Sequence, residues 1–185
     1  MENKGLIKSL IKKKISEIQS RKFSFEINRI ELPNGHEGDY GLIKHPGAAL
    51  AVPITRNRKV IILRQYRFAV SRYLLEFPAG TLEIGESPLA SIKREIQEES
   101  GYSAQKWDKL GVLVPAPGYA DEEIHLFLAR ELFKLEEAPS GDLDEDIEVL
   151  ELEFDTLDNL IASGEETLDA KTITAWFRTK QFLNI

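Results

Sequence analysis

Residues 80–102 read GTLEIGESPLASIKREIQEESGY, and the order of residue types along them spells a loop, a helix and a stop. Ser87 has a side-chain oxygen suited to an N-cap, and Pro88 stands at the first helical position, where its missing N–H costs nothing. Gly101 is suited to the left-handed residue that ends a helix. Between these stops Leu89, Ile92 and Ile96 form an apolar stripe for a core, and the opposite side carries Glu95, Glu98 and Glu99. At 100° per residue Glu95 and Glu99 stand one above the other, with Glu98 beside them. Three carboxylates on one face repel each other, and the nearest basic residue is Arg94. Two readings are open at this point. One is an acidic solvated face. The other is a divalent cation held by all-oxygen ligands, a donor set that suits Mg²⁺ or Mn²⁺.

Outward from this helix the chain alternates strand and turn signals. Residues 48–54 and 60–66 are apolar runs joined by Thr55-Arg56-Asn57-Arg58, and residues 74–78 make a short strand leading into Ala79-Gly80. Further strands are predicted at 110–114, 124–129 and 147–154, with closing helices around 157–162 and 169–182. Phe23, Phe25 and Ile27 alternate with polar residues, and Asn34-Gly35 offers a hairpin turn before residues 40–44. Leu6, Ile7, Leu10, Ile11, Ile15 and Ile18 recur at three- and four-residue spacing between lysines, which predicts an amphipathic N-terminal helix. That helix packs on its own fold or on a partner subunit, the alternatives being a membrane surface or RNA. Mixed strands with few helices make an α/β (α+β) sandwich. Two segments follow: 1–45, an N-terminal helix and β-strand arm for dimerisation, and 46–185, the catalytic body.

Composition bounds the function. A chain of 185 residues that is 42% hydrophobic buries one good core. The longest uncharged runs, 45–55 and 110–120, hold eleven residues each, short of the roughly 18–20 needed to cross a bilayer. Residues 1–5 lead into Lys and Ile rather than a long apolar segment, so no secretion signal is expected and the cytoplasm is the expected compartment. Zero cysteines exclude thiol nucleophiles and thiolate metal sites. The net charge of −7 argues against a nucleic-acid partner. It is unevenly spread, because residues 1–22 hold seven Lys/Arg against two Glu and leave the remainder at −12. An acidic body that handles phosphates must recruit a cation, although solubility explains acidity as well.

The spacing Gly80, five residues, Glu86, seven residues, Arg94-Glu95-Ile96-Gln97-Glu98-Glu99-Ser100-Gly101-Tyr102 resembles the Nudix hydrolase signature, G-x5-E-x7-R-E-U-x-E-E-x-G-U with U bulky and apolar. Seven fixed identities at an average usage of about 6% each coincide by chance about once in 10⁸–10⁹ positions. No position of the box departs from the pattern. The resemblance implies an α/β/α sandwich with a mixed sheet, the box forming a loop-helix-loop. It implies that Glu95 and Glu99 are the main ligands of Mg²⁺ (or Mn²⁺), that Glu98 assists, and that the carbonyl of Ala79 contributes. It further implies that Arg94 pairs with Glu86 to hold the loop on the helix, and that Gly80 lets the backbone turn close to the metal.

The flanking segments HPGA (45–48), RQYRFAV (64–70), LLEFPAG (74–80), PAPGYADEEIHLFLA (115–129) and DLDEDIEV (142–149) resemble the ADP-ribose pyrophosphatase branch, as does Pro117 sixteen residues beyond Gly101. That resemblance covers residues 45–185 and implies hydrolysis of ADP-ribose to AMP and ribose 5-phosphate by a homodimer whose arms are exchanged. Arg67 then holds a phosphate; Tyr66, Phe68 and Tyr73 stack on adenine or fill the core; Glu76 orients local groups. Pro117, Gly118 and Tyr119 shape the adenosine-side loop or form a turn without ligand contact. In the loop 140–146, Glu145 is the first choice for general base and Asp144 the second, against the reading of a solvated acidic loop. His125 is read as structural. The alternatives are another NDP-sugar (GDP-mannose, ADP-glucose, UDP-glucose) and a regulator that binds ADP-ribose without hydrolysing it. A substrate panel separates the former, and binding without product marks the latter.

Overall fold

The structure, a computed structural model, describes residues 10–137, 139 and 146–185. The chain divides into two compact units, one drawn from Met1–Pro46 and Ala116–Glu122, the other from Gly47–Pro115 and Glu123–Ile185.

The first unit is an antiparallel sheet of β1 (Leu10–Gln19), β2 (Ser24–Glu31) and β3 (Glu37–Lys44) in that order. The hairpin between β2 and β3 turns at Asn34-Gly35 as expected, with Gly35 at φ +84° and its N–H donating to the Leu32 carbonyl. The expected N-terminal helix is not formed over the part described: Leu10–Gln19 is a strand paired with β2. Two β-bulges, between Ile11 and Lys13 and between Lys14 and Ser16, each insert an extra residue. Leu10 and Ile18 share one face of β1, Ile11 lies on the other and Ile15 sits in the second bulge, so the apolar residues whose spacing predicts a helix do not share a side. The lysines between the apolar residues find acidic partners across the sheet, Lys12 on Glu31 and Lys14 on Glu26 at 2.7 Å. Such cross-strand pairs hold β1 as a strand.

The second unit is a seven-stranded mixed sheet with helices on both faces. Its elements are β4 (Ala48–Ile54), β5 (Lys59–Arg67), β6 (Arg72–Glu76), β7 (Ala79–Thr81), α1 (Pro88–Ser100), β8 (Tyr102–Leu113), β9 (Ile124–Lys134), β10 (Ile147–Glu153), α2 (Phe154–Ser163) and α3 (Ala170–Leu183). The main path runs β10-β5-β4-β9-β8, with β6 on β5 and β7 on β4. All pairings are antiparallel except β4 with β9.

Buried β4 sits between two cores because its side chains alternate. Leu50 and Val52 join Val60, Ile62, Leu126, Leu128, Leu157 and Trp176 beneath α2 and α3. Ala49 and Ala51 face the other way, onto Ile92 and Ile96 of α1 with Ile61 and Phe127. Two alanines on that face let α1 approach the sheet closely. The expected α/β/α sandwich is thus built by one strand with large residues on one side and small ones on the other. Among the described residues no helix is long and apolar enough to cross a membrane.

Candidate active site

The box folds as its residue order dictates. Ser87 has extended backbone angles and its Oγ accepts from the Ala90 N–H; Pro88 follows; Gly101 closes the helix at φ +72° with its N–H on the Gln97 carbonyl. Because Ile92 and Ile96 are fully buried, the rotation of α1 is fixed and its glutamates are turned toward the β6–β7 stretch.

There the three carboxylates differ in exposure. Glu99 is 7% exposed, the Glu95 side chain 15% and the Glu98 side chain 28%, a gradient that an evenly solvated acidic face would not give. Glu99 Oε2 accepts the Ala79 N–H at 3.0 Å. Gly80 lies so close to Glu95 that a Cβ on it would fall 1.9 Å from Oε1 and 2.0 Å from Cδ. β7 is held in place from behind, since Ala49 and Leu50 pair with Gly80 and Ala79. The helix and the short strand form one unit in which two box carboxylates lie on the backbone of Ala79-Gly80.

Arg94 is the cation of this cluster. It reaches Glu86 at 3.3 Å, Glu95 at 2.9 Å and Glu98 at 2.9 Å. Partial burial works against its charge, but the bonds and fields of these three carboxylates outweigh it and hold the guanidinium more firmly protonated than usual. The expected Arg94–Glu86 pair is present, and the same guanidinium also relieves repulsion between Glu95 and Glu98. Burial pushes the Glu86 carboxyl up, but Arg94 and the Glu83 N–H pull it below the ordinary glutamate value.

Among the described residues no group of three or more His, Asp or Glu is gathered around a single point as a finished metal site; two of the box carboxylates lie on Arg94 and the third on the Ala79 amide. The donor set nevertheless fits a hard divalent ion. It is all oxygen, one member is nearly buried, and the bare Cα of Gly80 leaves the Glu95 carboxylate room against the backbone.

A second cluster stands beside the first. Arg67, at the end of β5, is paired in fork fashion with Glu76 of β6, Nε to Oε1 at 2.8 Å and Nη2 to Oε2 at 2.5 Å. The Glu76 carboxylate, 2% exposed, also accepts from Lys171 Nζ at 2.5 Å. Burial presses the Glu76 pKa upward, and the two cations overcome it and hold it below the usual value. The Arg67 pKa is raised, by the bond to Glu76 first and by the field of Glu99 among others. That field ties Arg67 to the box.

Tyr66 of β5, Phe68 in the turn that follows it and Tyr73 of β6 are exposed rather than core. Tyr66 and Tyr73 meet edge to face with centroids 5.3 Å apart, and Phe68 is 87% exposed. Tyr73 donates to Asp146 Oδ2 at 2.6 Å, while the Tyr66 N–H donates to the Asp146 carbonyl. Glu145 and Asp144 lie outside the described residues. Pro117, Gly118 and Tyr119 belong to the first unit, in a turn fastened to β3 by the Ile43 N–H on the Tyr119 carbonyl at 2.8 Å. His125 sits within β9 opposite Ala49 and Val112. Sequence reasoning missed Lys171, Asp169 and Asp146. Lys171 meets Glu76 from the far end of the chain and Asp169 holds Lys171 there, and no local pattern announces that.

Three comparisons bear on this arrangement. Residues 44–177 match the NUDIX domain. The chain is 40% identical over 172 residues to an ADP-ribose pyrophosphatase of Bacillus subtilis (strain 168), covering 91% of this chain and 92% of that protein. It is 37% identical to a methanol dehydrogenase activator of Bacillus methanolicus, over 84% of this chain and 83% of the other. It is 36% identical to the GDP-mannose pyrophosphatase of Escherichia coli (strain K12), over 69% of each. Among solved structures, one described as an ADP compounds hydrolase superposes with a TM-score of 0.81 at 25% identity, covering 98% of this chain and 97% of its own.

Proposed function

Because the chain belongs to the Nudix hydrolase family, we propose that it hydrolyses the diphosphate of a nucleoside diphosphate sugar with Mg²⁺ or Mn²⁺, ADP-ribose being the preferred substrate and AMP and ribose 5-phosphate the products. The observation that carries this reading is the complete box with Glu95 and Glu99 set against the Ala79-Gly80 backbone. The choice of ADP-ribose over GDP-mannose rests on the greater identity and wider coverage of the ADP-ribose pyrophosphatase relative.

Glu95, Glu98 and Glu99 with the Ala79 carbonyl would hold the divalent ion, which when bound neutralises diphosphate charge and makes water a better nucleophile. Arg94 keeps the Glu86 loop on α1 and sets the side chains it touches. Arg67 presents a guanidinium whose plane is fixed by Glu76, so it can meet charge gathering on the phosphate oxygens without reorganising first. Glu145, or failing it Asp144, takes the proton of the attacking water; oxygen bonds to phosphorus as the bridging P–O bond breaks, and the leaving phosphate departs as a phosphomonoester. Tyr66 and Phe68 offer exposed rings on which a base can stack. Phosphate chemistry on a small soluble substrate in the cytoplasm is the role we assign.

We assign a homodimer as the working form and the arm of residues 1–45 as its dimerisation element. Leu10 and Ile18 of β1 and Phe25 of β2 are exposed large apolar side chains that share one face of the three-stranded sheet, and covering such a patch is favourable. A second reading is a regulator that binds nucleotide sugar without turnover; one relative is described as an activator of another enzyme, methanol dehydrogenase. Comparing kcat/KM for ADP-ribose, GDP-mannose, ADP-glucose and UDP-glucose tests the proposal. ADP-ribose is expected to lead by at least about tenfold, a difference of one or two hydrogen bonds, to the base edge against GDP-mannose and UDP-glucose and to the terminal sugar against ADP-glucose. Binding of ADP-ribose with no product in the presence of Mg²⁺ would replace hydrolysis by regulation.

A further inference from the structure

We infer that Lys171 is a positioning residue for Arg67. It clamps the Glu76 carboxylate from behind and so couples the N-terminus of α3 to the phosphate-binding side of the site. This inference rests on the proposed pyrophosphatase reading, in which Arg67 meets the substrate phosphate.

The geometry is a four-membered alternation of charge, Arg67–Glu76–Lys171–Asp169. Glu76 Oε2 accepts from Arg67 Nη2 and from Lys171 Nζ, both at 2.5 Å, while Oε1 accepts Arg67 Nε at 2.8 Å. Lys171 is paired in turn with Asp169, whose other oxygen caps α3 through the Thr172 N–H at 2.8 Å. The Thr172 hydroxyl accepts the N–H of Phe77, the residue after Glu76, at 3.0 Å. The β6 strand end is thereby pinned to α3 twice, once through backbone and once through charge.

Each link has a physical consequence. A carboxylate 2% exposed has almost no water to complete its shell, so its plane is set by its protein donors. Arg67 alone would leave Glu76 free to rock with the guanidinium. Lys171, fixed by Asp169 on the cap of a helix, supplies the stationary end. The Lys171 side chain is only 17% exposed, whereas that of Arg67 is 39% exposed. Only Arg67 is therefore open enough to meet a ligand, and Lys171 acts through it. Misplacing a charge-bearing group by about 1 Å costs up to about 10²-fold in rate, and loosening it costs less.

The test uses the full-length protein with ADP-ribose and Mg²⁺, measuring kcat, KM and melting temperature for wild type, Lys171→Met, Lys171→Arg, Asp169→Asn and Arg67→Lys. Lys171→Met is expected to lower kcat about tenfold with KM changed less than about twofold, and Lys171→Arg to recover most of kcat by restoring the cation. Asp169→Asn keeps a good N-cap and removes only the charge that holds Lys171; it is expected to lower kcat severalfold, and it decides the matter if Lys171→Met does not fold. Unchanged kcat in Lys171→Met, or in Asp169→Asn where the former is unfolded, overturns the role of Lys171. So does a rate loss in Lys171→Met that Lys171→Arg does not relieve. Full activity in Arg67→Lys, or no hydrolysis by wild type, overturns the phosphate reading itself. A loss in Arg67→Lys beside full activity in Lys171→Met overturns the clamp alone.

Discussion

Replacing Gly80 with alanine puts one methyl group where the structure has none to spare. The new Cβ would stand 1.9 Å from Glu95 Oε1, 2.0 Å from Cδ and 2.5 Å from Cγ. Its own strand cannot retreat, because Gly80 is paired with Ala49 of β4, which is fully buried. The Glu95 side chain must therefore move, and reaching an ordinary 3.4 Å contact from 1.9 Å requires a displacement of about 1.5 Å. Such a shift is inexpensive for the fold, since Glu95 is a flexible side chain on a helix held by other residues. A loss of about 1 kcal/mol lowers the melting temperature by about 2–4 °C in a chain of this length. Ligand distances tolerate only about 0.2 Å, so activity is expected to fall by about 10²–10³-fold. The assay is kcat/KM on ADP-ribose with saturating Mg²⁺ beside a thermal melt, for Gly80→Ala, Glu95→Ala and the double variant. If the methyl acts through Glu95, the double variant is no slower than Glu95→Ala alone. Near-normal activity in Gly80→Ala, or fully additive losses, refutes the reasoning.

Other perturbations follow from the same geometry. Glu99→Gln keeps a carbonyl oxygen for the Ala79 N–H but removes charge from the least exposed box carboxylate; turnover should fall by about 10³-fold or more with little change in melting temperature, and near-normal turnover would remove Glu99 from the metal-ligand set. Arg94→Met leaves Glu86, Glu95 and Glu98 without their shared cation; discounted for exposure, about 1–2 kcal/mol of stability is lost, readable as a drop of about 2–8 °C in a melt. Acid should weaken the fold through Glu76 and Glu86. Both have folded-state pKa values below the ordinary 4.5, so their contribution is complete above that value and disappears as pH falls through the lowered ones. Melts from pH 7 to pH 3 are expected to show this decline and Glu76→Gln to flatten it; a wild-type melting temperature constant across the range would exclude it.

Much of this was legible in the residues. The signals around α1 agree with one another: Ser87-Pro88 at the start, Gly101 at the end, Leu89, Ile92 and Ile96 inward. Strand β4 was legible because a short wholly apolar run leaves no other place than a sheet centre. Strand β1 was not, because its apolar residues are spaced in sequence like a helical stripe while two bulges distribute them over both faces of the strand. The first half of β8 was missed because Gln105, Lys106, Asp108 and Lys109 mark a polar strand at the end of the sheet order, and the bulge before Gly111 breaks its alternation. Helical spacing brings Glu95, Glu98 and Glu99 to one side of α1, but that alone also suits a solvated acidic face; the resemblance of the whole box to the Nudix signature is what marked them as a site. The clamp on Arg67 could not be read in the residues, because Glu76 and Lys171 are 95 residues apart and meet only through the docking of α3 on β6. The anchoring of Asp146 by Tyr73, across 73 residues, was hidden for the same reason.

The most direct measurement is product analysis of ADP-ribose incubated with the protein in ¹⁸O water, with Mg²⁺ and again with excess chelator. The account predicts equal amounts of AMP and ribose 5-phosphate, one ¹⁸O in the phosphate of a single product, and no reaction under chelation. Products that form as fast without a divalent ion, or intact ADP-ribose with Mg²⁺ present, would contradict it.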